Sequence, residues 1–198
     1  IKPVLLAPTG RAAKVLARYC GEQALTIHKR IYRQRTNADY ESKFSLDFNR
    51  EQGAVFIVDE ASMLSDSTGD GALFGSGSLL EDLVSYVRSG RGCRLILVGD
   101  SAQLPPVGCD FSPALDPATV SRYGEVVYGL MDEVVRQQMQ SGILFNATLV
   151  RCMLENRIYE IPKFEMDYPD FESVEGGDFM EKLQDAFDRY GRDEVIVI

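Results

Sequence analysis

A length of 198 residues and a hydrophobic content of 45% are enough for one well-buried domain and the beginning of a second. The longest apolar runs, residues 55–58 and 95–98, fall far short of the roughly 20 residues that cross a bilayer, and the first residues lack a secretory leader's charged-then-apolar layout. A cytoplasmic chain with no membrane partner is therefore expected. The formal net charge of −9 excludes a protein that coats nucleic acid by bulk electrostatics, but the charge is uneven. Residues 1–35 carry eight basic side chains against the single acid Glu22, while the remainder carries 13 basic and 29 acidic ones. Such a split fits either a solvated helix face or a basic edge that contacts phosphates. Cys20, Cys93, Cys109 and Cys152 lie far apart without a C-x-x-C pair, and the single histidine, His28, offers no partner for a zinc site, so reduced thiols are expected.

In chain order, an apolar run at residues 3–7 is broken by Pro8-Thr9-Gly10. Residues 11–19 follow with Ala12, Val15, Leu16 and Tyr19 at helical spacing. The pattern predicts strand, turn and helix, with Tyr19 in the core. Residues 36–52 are polar and loop-like, after which residues 54–58 form a buried strand ending in two acids. A long loop is expected over the Gly-, Ser- and Asp-rich residues 65–78 and a helix over 79–88. A third buried strand follows at 94–98, closed by Gly99-Asp100 and the turn Gln103-Leu104-Pro105-Pro106.

A short strand is expected at 125–128 and a helix over 143–154, with Ile143, Leu144, Ala147, Val150 and Leu154 as its apolar stripe. From residue 155 the texture changes. An acidic stretch at 165–177, a helix near 179–190 and an apolar run at 195–198 read as a peripheral extension followed by a new strand. Continuous apolar strands alternating with helices imply the α/β class, a mostly parallel sheet flanked by helices on both faces. Ligands of such sheets sit at the carboxyl ends of the strands, which here carry Pro8-Thr9, Asp59-Glu60 and Gly99-Asp100.

Adjacent carboxylates just beyond a buried strand can do two jobs. In phosphate-loop ATPases a strand-end Asp supports magnesium, usually through water, while a neighbouring Glu orients and deprotonates the attacking water. Solvated acids are also common at strand ends, so Asp59-Glu60 alone is ambiguous. The segment from Gly99 to Val107 is more specific, because its polar residues hold fixed places around a stiff turn. There Gln103 can sense a terminal phosphate by hydrogen bonding, and the two prolines keep the following segment rigid. Thr9, Arg11 and Lys14 stand at a helix start, where free N–H groups favour an anion and make contacts that read no bases. His28 reads as a capped or packed imidazole near a helix start, outside the catalytic set.

Taken in order, these segments resemble the motifs of superfamily-one DNA helicases of the RecD/Dda-like branch. Asp59-Glu60-Ala61-Ser62 is similar to motif II, Gly99-Asp100-Ser101-Ala102-Gln103-Leu104-Pro105-Pro106-Val107 to motif III, and Ala7-Pro8-Thr9-Gly10-Arg11-Ala12-Ala13-Lys14 to motif Ia. Thr26-Ile27-His28-Lys29 follows as it does in RecD-like proteins, and Glu133-Val134-Val135-Arg136-Gln137 is similar to motif IV. The resemblance implies a RecA-like phosphate-loop NTPase domain that uses ATP and Mg2+. It assigns magnesium support to Asp59, the general base to Glu60, nucleotide contacts to Asp100, and γ-phosphate sensing and neutralisation to Gln103 and Arg136. Pro8, Thr9, Arg11 and Lys14 would lie along single-stranded DNA, the implied partner together with other repair or recombination subunits.

The phosphate loop of that family, G-x-x-x-x-G-K-[ST], does not occur in the sequence, and Ile1 already stands at the motif Ia strand. Residues 1–154 are therefore expected to be a first motor domain truncated on its N-terminal side, crippled in nucleotide binding and turnover. Residues 155–198 would be an acidic extension and the start of a second RecA-like domain, whose first strand residues 195–198 resemble. Two further readings stay open: a non-catalytic helicase-like module docking to DNA or a repair complex, and an ATPase of the same fold acting on proteins.

Overall fold

The computed structural model describes residues 2–36, 42–67, 73–131 and 141–197. The chain divides into two compact units, residues 1–129 and 130–198. That division falls before the long helix near residue 150, whereas the change of sequence texture falls after it. Among the described residues no helix is long and apolar enough to cross a membrane, and all four cysteines are free thiols.

The first unit is built on a four-stranded parallel sheet of β1 (Lys2–Ala7), β2 (Ala24–Thr26), β5 (Ala54–Val58) and β6 (Arg94–Leu97), in the order β2-β1-β5-β6. Helix α1 (Gly10–Cys20) connects β1 to β2. Thr9 starts it by accepting the Ala12 N–H at 3.2 Å, and Gly21, at φ 65°, ends it in the left-handed conformation that glycine tolerates best. Helix α2 (Ile27–Ile31) follows β2 directly and leads into an antiparallel hairpin of β3 (Tyr32–Thr36) and β4 (Ser42–Leu46). Helix α3 (Leu79–Ser89) begins at Ser78, whose hydroxyl accepts the Glu81 N–H at 3.2 Å, with Glu81 and Asp82 favourably placed in its first turn. The short α4 (Pro117–Val120) is capped by Asp116.

Side chains alternate across the sheet, and the two faces differ. Leu6, Phe56 and Val58 lie in one cluster with Ile27 and Ile31 of α2 and Leu80, Leu83 and Val87 of α3. Leu5 and Ala7, on the alternate face, are buried apart from that cluster, on the side where α1 covers β1 and β2. Register aligns Leu5 with Ile57 and Ile57 with Ile96, and along this row exposure rises from 7% at Leu5 to 46% at Ile96. The expected cover on both faces thus thins out over β6, the edge strand.

The second unit contains α5 (Gly142–Glu155) and α6 (Phe179–Tyr190). Between these helices an irregular segment is fastened to α5 by polar side chains. Asn146 donates to Glu165 O at 2.8 Å and accepts the Glu165 N–H at 2.8 Å, and Asp170 accepts the Gly142 N–H at 2.7 Å as well as the Ser141 hydroxyl. Gly142 leaves room for Tyr168, whose ring carbon would stand 2.7 Å from any Cβ there.

Several expectations need correction. Tyr19 is 83% exposed and Val15 is exposed too; Ala13, not the 12-15-16-19 stripe, is the buried position of α1. The polar stretch 36–52 contains β4, because antiparallel pairing with β3 supplies hydrogen-bond partners that composition does not reveal. Residues 125–128 and 195–197 form no strand. Both runs are short, and without a neighbour their backbone groups gain nothing from the extended form. On α5 the expected apolar stripe is only partly covered: Ile143, Ala147 and Leu154 are exposed.

Candidate functional site

Parallel pairing brings the sequence-predicted residues to one edge of the sheet. The ladder continues past the strands themselves: Asp59 N–H donates to Leu6 O at 3.0 Å, Val98 N–H to Val58 O at 2.8 Å, and Ala61 N–H to Val98 O at 2.9 Å. These bonds hold the carboxyl ends of β1, β5 and β6 side by side. Pro8-Thr9, Asp59-Glu60 and Gly99-Asp100 consequently leave the sheet at the same edge, although they are far apart in sequence.

Each segment adopts a different local device. Thr9 is an exposed cap, and Arg11 and Lys14 are exposed in the opening turns of α1, which carries no acid in its first turn. The free N–H groups there and the two cations favour an anion. Asp59 and Glu60 are half-buried. Asp59 Oδ1 accepts the Glu60 N–H at 3.0 Å, and Glu60 sits at φ 56°, ψ 37° before the 3-10 turn Ala61–Met63. This is a left-handed conformation uncommon for a residue with a side chain, and such strain concentrates at functional sites. Asp100 folds its own turn: its carboxylate accepts the Ala102 N–H at 2.9 Å and its carbonyl the Gln103 N–H at 3.1 Å. Gln103 is exposed beyond that turn, and Pro106 is buried. The last sequence-predicted site residue, Arg136, lies outside the described residues, as does the whole motif IV-like segment 133–137.

Magnesium prefers hard oxygen ligands, and the acid pair at the end of β5 is a donor set of that chemistry. Ser62, beside it, is fully buried with a hydroxyl that makes no hydrogen bond to the protein. The acid pair is thus of the right chemistry for a magnesium ion, with Asp59 the residue that would hold it, but among the described residues no three or more His, Cys, Asp or Glu side chains are grouped to hold a metal by themselves.

A second cluster lies at the base of the hairpin. His28 packs on Phe74 at 5.0 Å and on Tyr32 at 5.6 Å, and Phe44 stacks on Phe74 at 4.5 Å. Burial lowers the His28 pKa, so the neutral ring is favoured. Burial also raises the Tyr32 phenol, reinforced by its 2.7 Å hydrogen bond to Asp82. His28 is thus a packed imidazole in an aromatic corner.

The fold and its strand ends define a class: an α/β domain consistent with the RecA-like phosphate-loop NTPases. A family model described as an AAA domain matches residues 1–109, more than half of the chain. The chain belongs to that family of phosphate-loop NTPases, which is found in helicase-like proteins.

Sequence reasoning missed two features of this edge. The left-handed backbone at Glu60 carries no signal, since glycine or asparagine would have been the expected residue. The second is the tight packing of Gly99, where a Cβ would stand 3.0 Å from Ser62 N.

Proposed function

We propose that the chain is part of an ATP-dependent DNA helicase of superfamily one, of the RecD/Dda-like kind. It would couple ATP hydrolysis to movement along single-stranded DNA and to duplex unwinding in repair or recombination. The observation that carries this reading is the common edge of β1, β5 and β6, where an anion-favouring helix start adjoins an acid pair and a Gly-Asp turn. Family membership supports the NTPase part.

In this reading Glu60 takes the proton of the attacking water, Asp59 supports Mg2+, and Asp100 and Gln103 meet the nucleotide's phosphates. Arg136 neutralises charge on the γ-phosphate. Bound magnesium would supply neutralisation of phosphate charge. Pro8, Thr9, Arg11 and Lys14 follow the DNA backbone. Because G-x-x-x-x-G-K-[ST] is absent from the sequence, these 198 residues by themselves are proposed to lack turnover.

The test is ATP turnover, with and without single-stranded DNA, by the protein expressed from its natural reading frame. Stimulation by DNA is expected, and Arg11→Ala with Lys14→Ala should weaken DNA binding and flatten its salt dependence. On single strands each phosphate contact contributes a slope of about −0.7 in log K against log salt. Absence of hydrolysis in that protein would overturn the motor and favour the non-catalytic binding module; turnover indifferent to DNA would favour an ATPase acting on proteins.

A further inference from the structure

We infer that Gly99 is a positioning residue for Glu60, acting through the backbone of Ala61 and Ser62; the inference rests on the reading of Glu60 as the general base. Glycine at position 99 is not required by its own backbone, since Gly99 is not among the described glycines with positive φ. Space favours it instead. A Cβ at this position would stand 3.0 Å from Ser62 N, 3.2 Å from Ala61 N and 3.1 Å from Leu115 Cδ1. Two of these three atoms belong to the backbone and cannot rotate away.

The same turn holds Glu60 in its left-handed conformation. Ala61 N–H is bonded to Val98 O at 2.9 Å, Met63 N–H to Glu60 O at 3.3 Å and Leu64 N–H to Ala61 O at 3.1 Å. Ala61 and Ser62 are completely buried, and the Ser62 hydroxyl has no partner in the protein, so backbone bonds and packing locate this turn. A left-handed residue with a side chain persists only where its surroundings over-determine it. Here the bare α-carbon of Gly99 lets the end of β6 close on the turn, and this contact aims the carboxylate that follows Asp59. A Cβ here makes contacts tighter than ordinary packing, so the Ala61–Ser62 backbone must give by a few tenths of an ångström, which shifts the turn that carries Glu60, while Asp59 stays fixed by its bond to Leu6 O.

The experiment compares Gly99→Ala, Glu60→Gln and Gly99→Ala/Leu115→Ala in the protein expressed from its natural reading frame. Gly99→Ala is expected to lower kcat at least tenfold with KM for ATP within about twofold, because orientation rather than binding is lost. In the same variant the Ala61 amide should exchange faster with solvent while the Asp59 amide, bonded to Leu6 O, does not. The double variant removes the side-chain clash and keeps both backbone clashes, so it is expected to stay slow. Wild-type kcat in Gly99→Ala, or recovery of kcat in the double variant, overturns the inference. Near-normal turnover in Glu60→Gln would instead sink the general-base reading beneath it. If Gly99→Ala does not fold, hydrogen exchange of the unsubstituted protein decides: protection of the Ala61 amide comparable to that of the Asp59 amide supports a turn held by the end of β6, and rapid exchange at Ala61 overturns the inference.

Discussion

The two units of the chain are held together by different chemistry. Every buried apolar side chain among the described residues lies in the first unit, between Leu5 and Ala114, whereas the buried polar side chains of the second are Ser141 and Asn146. A core of Phe56, Leu6 and the α3 leucines stabilises by burial, which is non-directional and indifferent to pH. A clasp made by Asn146 and Asp170 is directional and depends on each bond being made. Positional precision therefore resides in the first unit. A rigid sheet can keep strand ends aligned to within a hydrogen bond, as an active site requires, while the second unit is built from contacts that single substitutions or acid can open.

Truncating the core is the largest perturbation that tests this contrast. Phe56→Ala should destabilise the first unit by about 3–5 kcal/mol, read by chemical denaturation, because it removes a completely buried ring and leaves a cavity. A loss under about 1 kcal/mol would show that the sheet does not depend on this core. Next comes Asn146→Ala, which strands the Glu165 N–H and carbonyl and should cost the second unit about 1–3 kcal/mol. Hydrogen exchange at Glu165 should then rise while the amides of β5 keep their protection; equal protection at Glu165 before and after substitution would contradict the clasp.

Acid sharpens the comparison with smaller effects. The hydrogen bonds from Ser141 and from the Gly142 N–H hold Asp170 below the ordinary carboxylate range. A depressed carboxylate contributes stability above its unfolded pKa and loses it as pH falls through its folded value, so the α5 clasp should loosen below about pH 4. Asp170→Asn should abolish that acid dependence at the Gly142 amide. His28 acts in another window. Its folded pKa is lowered by burial, so its unfolded form binds the proton first and stability falls as pH drops below about 6.5. Stability measured by chemical denaturation should therefore begin to fall below about pH 6.5 through His28, and a His28→Phe variant should lose that part of the pH dependence; an unchanged profile would contradict the assignment.

The legible parts of the molecule were those with long or strongly typed signals. Strands β1, β5 and β6 read as apolar runs, and α3, α5 and α6 lie close to their expected spans. Short elements without a continuous apolar run escaped: β2 and α2 are too short for periodicity to register, and β4 depends on its pairing with β3. The stripe on α1 misled because Val15 and Tyr19 are apolar in type but lie on a face that the first unit leaves exposed. At the site, residue types announced Asp59, Glu60, Gly99 and Asp100, and the sheet supplied their adjacency. The left-handed backbone of Glu60 and the close pass of Gly99 are consequences of packing, which no local pattern encodes.

In the proposed function, nucleotide chemistry takes place at the aligned ends of β1, β5 and β6, with Glu60 as the base. Its most direct test is the single substitution Glu60→Gln, assayed for ATP turnover and single-stranded-DNA affinity in the protein expressed from its natural reading frame. DNA affinity should be unchanged and turnover reduced at least a hundredfold, within the ~10²–10⁴ range typical of general-base catalysis. Near-normal turnover would contradict it.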